Sequence, residues 1–156
     1  MENLNYNISI RKGDITDLQV IVANNVKMAQ ETENKILNQS SIYNGVDELL
    51  NNSKLGWYYI AVIDKHIAGQ VMITREWSDW RNGYFWWIQS VYVKKKFRRI
   101  GVYSLLHNYV NEQAKIMGAV GLRLYVDSKN ISAHTVYEKL GMRTTKYLFY
   151  ENNWSE

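Results

Sequence analysis

Apolar residues in this chain change their spacing several times, and each change marks an element. Ile8 and Ile10 alternate with Ser9 and Arg11 as a short strand. Asp14 then offers an N-cap, and Ile15, Leu18, Ile21, Val22, Val26 and Met28 recur at helical spacing. Residues 31–56 are polar and Asn-rich, with a helical signal only around Val46–Leu50, which predicts a second helix flanked by loops. Two runs rich in aromatic and β-branched residues, Trp57–Ile63 and Ile67–Thr74, flank Asp64, Lys65 and His66 and read as a hairpin. Gly69 inside the second run predicts a bulge or a close backbone approach. The polar turn Ser78–Gly83 leads into a long run, Tyr84–Val93, as a third hairpin-connected strand.

Beyond it, Val102, Leu105, Leu106, Tyr109, Val110, Ala114 and Met117 return to helical spacing, and Gly118 stands where a left-handed C-cap belongs. Gly121–Val126 is the next strand. A strand, a helix and a strand in succession form a crossover, so the fourth and fifth strands are predicted to be parallel neighbours. Asn130 or Ser132 can cap a short helix with Ala133, Val136, Tyr137 and Leu140 inward and Gly141 closing it. Arg143–Glu151 alternates as a last strand. The expected fold is α/β (α+β): a mixed, mostly antiparallel, twisted sheet with one parallel pair and helices on both faces. No repeat, low-complexity tract or linker interrupts it, so one domain over residues 1–156 is expected.

Composition narrows the chemistry. The chain has no cysteine, which removes thiol nucleophiles, disulfides and thiolate metal sites together. His66, His107 and His134 are far apart, so no structural metal is expected. Residues 1–5 lack both a basic and an apolar leader region, and no apolar run reaches the roughly 18 residues of a membrane span. A cytoplasmic protein away from membranes is the expectation. Its formal charge of +4 is modest and concentrated in one turn, which suits a small anion better than a nucleic-acid backbone.

That turn lies in the most informative segment. The strand ending at Val91, Tyr92 and Val93 runs through Lys94, Lys95, Lys96, Arg98 and Arg99 to Gly101, and a helix follows. A glycine turn opening a helix presents backbone N–H groups and a positive dipole end to an anion. Sheets with parallel crossovers bind ligands at the carboxyl ends of their strands, so residues 91–93, 98–104 and 127–137 are expected to meet at one cleft.

Arg98-Arg99-Ile100-Gly101-Val102-Tyr103 resembles the acyl-CoA pyrophosphate loop of the GNAT superfamily of N-acetyltransferases. Asn130, Ala133 and Tyr137-Glu138-Lys139-Leu140-Gly141-Met142 resemble that family's downstream signature, at the expected separation. The resemblance implies acetyl-CoA as acyl donor. It further implies that backbone groups of Val91, Tyr92 and Val93 pair with the pantetheine arm. Arg98, Arg99, Ile100, Gly101, Val102, Tyr103 and Ser104 would hold the pyrophosphate, and Asn130 would contact the arm. The Val91 amide becomes the candidate for electrophilic stabilisation and Tyr137 the candidate general acid, near the CoA sulfur. Two positions depart from the pattern. Tyr103 replaces the loop's last Gly or Ala, and Gln89-Ser90 replaces an acidic pair found in related polyamine-type enzymes. An amide cannot take a proton, so the base is left open among a water chain, Glu76, Asp79 and a histidine.

The reading that follows is an acetyl-CoA-dependent N-acetyltransferase acting on a primary amine by direct attack in a ternary complex. The alternatives are a non-catalytic acyl-CoA-binding or regulatory module and, third, a nucleic-acid-binding domain, which lacks an extended basic surface. Trp77, Trp80, Tyr84, Phe85, Trp86 and Trp87 divide between core and acceptor pocket. They leave the acceptor open between a small amine and a peptide amine. Exposed aromatics on the late strands suggest a homodimer.

Overall fold

A computed structural model describes residues 6–154, so the N-terminal residues read above for a leader lie outside it. The chain divides into two compact units, one through Tyr125 and one from Val126.

The first unit opens with β1 (Ile8–Lys12) and a short 3-10 turn, Ile15–Asp17. Asp14 caps that turn by accepting the Thr16 N–H at 2.8 Å, and the Asp17 carboxylate accepts the Asp14 N–H at 2.9 Å. Arg11 grips both Asp17 oxygens at 2.8 and 2.9 Å, so β1 and the helix start are tied together. The chain continues as α1 (Leu18–Glu33), which Asn34 ends in the left-handed region, and α2 (Gln39–Asn51). Asn38 caps α2 from the Asn-rich stretch, accepting the Ser41 N–H at 3.0 Å. The helix therefore starts well before the apolar signal at Val46, because its first two turns are set by a cap rather than by burial.

The sheet contains β2 (Trp57–Ile63), β3 (His66–Ser78), β4 (Gly83–Val93) and β5 (Gly121–Leu124), with α3 (Val102–Ile116) crossing between the last two. Strand order is β1-β2-β3-β4-β5, with every neighbour antiparallel except the parallel pair β4–β5. β3 outruns its expected end at Thr74, since its ladder with β4 continues to Ser78 opposite Gly83. Gly69 meets both expectations made for it. Ladder pairing skips Ala68, and a Cβ at Gly69 would stand 3.1 Å from both the Tyr92 carbonyl and a Val102 methyl.

Helices cover both faces. Trp57, Ala61, Val71, Ile73, Trp86 and Ile88 pack against the α3 stripe Val102, Leu106, Val110 and Ala114. On the opposite face Tyr58 packs with Leu18, Ile21, Val22, Val46 and Leu49 of α1 and α2. Among the described residues no helix is long and apolar enough to cross a membrane.

In the second unit α4 (Ile131–Lys139) is capped by Asn130, whose side-chain oxygen accepts the Ala133 N–H at 3.1 Å. The strand expected over Arg143–Glu151 does not form: none of these residues joins a ladder. Alternation specifies a strand only when one parity is buried, and here Tyr147, Leu148, Phe149 and Tyr150 of both parities are exposed.

Candidate functional site

The site begins where β4 leaves its parallel neighbour. Pairing with β5 ends at Ile88 opposite Leu124, so residues 89–93 of β4 have no ladder partner along that edge among the described residues. On its other edge β4 carries a one-residue bulge. Gln70 pairs with Tyr92 and Met72 with Gln89, so Ser90 and Val91 together oppose Val71. Ser90 adopts φ 47°, a left-handed conformation uncommon for serine. One extra residue reverses the alternation: Ile88, Val91 and Val93 pack on the α3 side, whereas Tyr92 turns toward α1.

The basic turn follows. The Lys94 N–H bonds the Ala68 carbonyl at 2.9 Å, and buried Phe97 anchors the 3-10 turn Lys95–Phe97. Arg99 (φ 66°) and Gly101 (φ 86°) both sit in the left-handed region, turning the chain sharply into α3. No side chain caps α3, whose first turn therefore offers backbone N–H groups outward. A Cβ at Gly101 would meet nothing within 4 Å, so space is open over that turn.

The five cations of the turn divide in two. Arg98 donates to the Val93 carbonyl at 2.8 Å and to Glu31 of α1 at 2.7 Å, while Lys95 stands 3.6 Å from the same carboxylate. Tyr92 also donates to Glu31, at 3.0 Å. The Arg98 hydrogen bond, outweighing burial, holds the Glu31 carboxyl below its ordinary range, with Tyr92 and the charge of Lys95 assisting. No acid lies within ion-pair distance of Lys94, Lys96 or Arg99 among the described residues. Burial, then the charges of Lys27 and Lys96, push the Lys94 ammonium down. This is an unneutralised cluster beside open backbone donors, an arrangement suited to a diphosphate.

Behind the bulge lies a buried polar network that the sequence did not announce. Asn24 donates to the Gln70 side-chain carbonyl at 2.8 Å, Gln70 donates to Asn25 at 2.9 Å, and Asn25 donates to the Tyr58 hydroxyl at 3.0 Å. The Ser90 side chain lies beside the same phenol, whose pKa is raised chiefly by burial.

Next to the bulge on the α1 side is a cavity of about 360 Å³ lined by Thr74, Arg75, Glu76, Trp87, Gln89 and Tyr125. Gln89 donates to Thr74 at 2.6 Å. Both Glu76 oxygens take Arg123 at 3.1 Å, and one also accepts the Trp87 indole N–H. Trp87 stacks on Tyr125 with ring centroids 4.4 Å apart. The aromatic run divides between core, cavity and surface, though not by strict alternation, since neighbours Phe85 and Trp86 are both buried. Phe85 and Trp86 are buried, Trp77, Trp80 and Tyr84 are exposed, and Trp87 lines the cavity.

Of the sequence-derived candidates, Val91–Val93 and Arg98–Ser104 come together in the first unit. Asn130 and Tyr137 share α4 in the second unit, where Tyr137 is half-buried and Asn130 spends its carbonyl oxygen on the helix cap. Tyr103 turns its ring toward His107, at 6.1 Å between centroids, and His107 is buried on α3. Glu31, Asn24, Asn25, Gln70, Tyr58 and Arg123 were missed. The signal available was the polar pair Asn24-Asn25 between apolar Val22 and Val26. No group of three or more His, Asp or Glu is placed to hold a metal ion among the described residues.

A profile of the acetyltransferase (GNAT) family matches residues 26–142. Among solved structures, the chain is similar to a possible acetyltransferase from Clostridium difficile 630, at 41% identity and a TM-score of 0.89 over 96% of this chain and 99% of that one. It shares the fold of a predicted acetyltransferase from Clostridium acetobutylicum solved with acetyl-CoA, at 20% identity and TM-score 0.76 over 93% and 96% of the two chains. It also shares the fold of an aminoglycoside N-acetyltransferase solved with CoA, at 16% identity and TM-score 0.76 over 99% and 100%. No curated protein matches the chain.

Proposed function

The chain belongs to the GNAT family of acetyltransferases, and we propose that it transfers an acetyl group to a primary amine by direct attack with both substrates bound. The observation that carries this reading is the open edge of β4 at residues 89–93, running straight into the uncapped start of α3. The residues present fit acetyl-CoA: an unpaired strand edge for an amide-bearing arm, outward N–H groups with open space over Gly101, and three cations without an acid. When bound, acetyl-CoA supplies the activated acyl group and a thiolate leaving group.

Val91, Tyr92 and Val93 would extend the sheet onto the arm through their backbone. The amides of Arg98 to Ser104 would hold the diphosphate, with Arg99, Lys94 and Lys96 as its cationic partners. Arg98 instead shapes the turn, because its guanidinium is engaged by Glu31 and Val93. Asn130 keeps its side-chain NH₂ for the arm. The Val91 N–H donates where negative charge gathers on the acetyl oxygen. For Tyr137 the support is the match of Asn130, Ala133 and Tyr137–Met142 to the family signature. A phenol with pKa near 10 gives a proton to a departing thiolate, whose own pKa is about 8.5. With no cysteine in the sequence, a thiol acyl-enzyme is not available.

The amine enters through the cavity between Thr74, Gln89, Trp87 and Tyr125. Neither the Gln89 amide nor Glu76, occupied by Arg123 and Trp87, is placed to take its proton, which leaves to water. Residues 1–156 act as one acetyltransferase domain in this reading, supported by a family match that runs across the boundary at Tyr125. A homodimer belongs to the same reading, supported by exposed Trp80 and Tyr150, and sedimentation decides it.

Titration calorimetry with CoA and acetyl-CoA is the primary test: absence of binding below millimolar concentration removes the proposal. Tyr137→Phe is expected to lower kcat about 100-fold while CoA affinity stays put. An unchanged kcat dismisses the acid role.

A further inference from the structure

Burying four amide and hydroxyl side chains costs stability unless each finds a partner, and an apolar layer would do as well or better. Asn24, Asn25, Gln70 and Tyr58 are 1%, 3%, 0% and 1% exposed, and they form one chain of hydrogen bonds. The chain begins on α1 and ends at the β4 bulge by two independent links. The Tyr58 phenol lies beside Ser90, the residue with positive φ, and the Gln70 backbone pairs with Tyr92 just past it. Two turns farther along α1, Glu31 takes Tyr92 and Arg98. Positions 24 and 31, seven apart, share one face of that helix and Asn25 is adjacent to it, so α1 contacts the bulged end of β4 through polar groups along its length.

Such contacts have a geometric effect that apolar packing lacks. Apolar contacts are non-directional, whereas hydrogen bonds of fixed length and angle specify a single register. A bulge with a serine at φ 47° needs that specification, because the ladder there has one residue too many and the left-handed conformation is unfavourable without glycine. The residue whose direction depends most on it is Val91.

We propose that Tyr58, Asn25 and Gln70 are positioning residues for acyl transfer: they hold the Ser90 bulge so that the Val91 N–H points at the acetyl oxygen. This rests on the acetyl-CoA reading above, and none of the three touches substrate. Their effect is on direction, so loss of one leaves the cofactor site in place and weakens polarisation of the thioester.

The test uses the full chain, acetyl-CoA labelled with carbon-13 at the carbonyl, and isotope-edited infrared spectroscopy, which needs no acceptor. Wild-type protein is expected to lower the carbonyl stretch of the bound thioester relative to free acetyl-CoA. Tyr58→Phe should return that band toward the free value and lower kcat about tenfold or more, with CoA affinity changed less than about twofold. Ser90→Ala removes the hydroxyl beside Tyr58 without altering the core, and the same outcome is expected should Tyr58→Phe fold poorly. Ile21→Val, in the apolar part of the same layer, should lower Tm and leave the band alone. A wild-type band and kcat in both Tyr58→Phe and Ser90→Ala overturn the proposal. So does a band shift in Ile21→Val equal to theirs, which would make the network merely structural. If wild-type protein fails to bind CoA in calorimetry, the acetyl-CoA reading falls and takes this inference with it.

Discussion

The two faces of one sheet solve different problems. Against α3 the contacts are aliphatic and aromatic, with Leu106 and Val110 completely buried and Trp57 edge-on to Trp86 at 4.8 Å. Toward α1, apolar contacts give way to Asn24, Asn25 and Gln70 beside Tyr58, and Asp17 is clamped by Arg11 at the helix start. Among the described residues, four of the five buried polar side chains, Asp17, Asn24, Asn25 and Gln70, lie on the α1 side, and the fifth, His107, is on α3. The α3 side supplies area-dependent, non-directional stability. The α1 side gives part of that up for bonds that determine where the end of β4 sits.

The contrast can be broken most severely in the apolar layer. Leu106→Ala should cost about 2–5 kcal/mol in denaturant unfolding, with kcat per folded molecule unchanged. An equal fall in kcat would mean that the α3 face also positions the site. Gln70→Leu strips partners from both Asn24 and Asn25, so a loss of about 2–3 kcal/mol is expected together with a fall in kcat at temperatures well below Tm. Retained kcat in that variant would erase the distinction between the faces.

The smallest effect sharpens the comparison from the other direction. Neither ring nitrogen of His107 has a hydrogen-bond partner of good geometry, although Asn108 lies nearby, and burial pushes its pKa down. The unfolded chain therefore binds the proton more readily. Stability from keeping this ring neutral is fully present above its ordinary value near pH 6.5 and declines as pH falls toward the lower folded value. His107→Leu should stabilise by about 1 kcal/mol near pH 6 and flatten the pH profile below the ordinary histidine value near 6.5, read from denaturant melts. A profile identical to wild type would place the titration elsewhere.

Much of the architecture was legible because it depends on local periodicity. The aromatic and β-branched runs at residues 57–63 and 84–93, the 102–114 stripe, and Gly101 between strand and helix each carry their own conformational preference. The glycine turn that opens α3 was readable for the same reason: a strand, a left-handed glycine and a helix start are neighbours in sequence. Arg143–Glu151 shows the limit, since alternation there found no ladder to complete and no side to bury.

What the chain could announce in its own order of residues was therefore the framework and the basic glycine turn, whose parts lie within twenty residues of one another. The roles of Arg98, Glu76 and Asn25 waited on folding. Arg98 finds Glu31 67 positions away in sequence, and the oxygens of Glu76 find Arg123 and Trp87. Asn25 reads as an ordinary polar helix residue until Gln70 and Tyr58 bury it. A hydrogen-bonding group commits to a partner only once distant segments are packed, because its strength depends on geometry within a few tenths of an ångström and on exclusion of water.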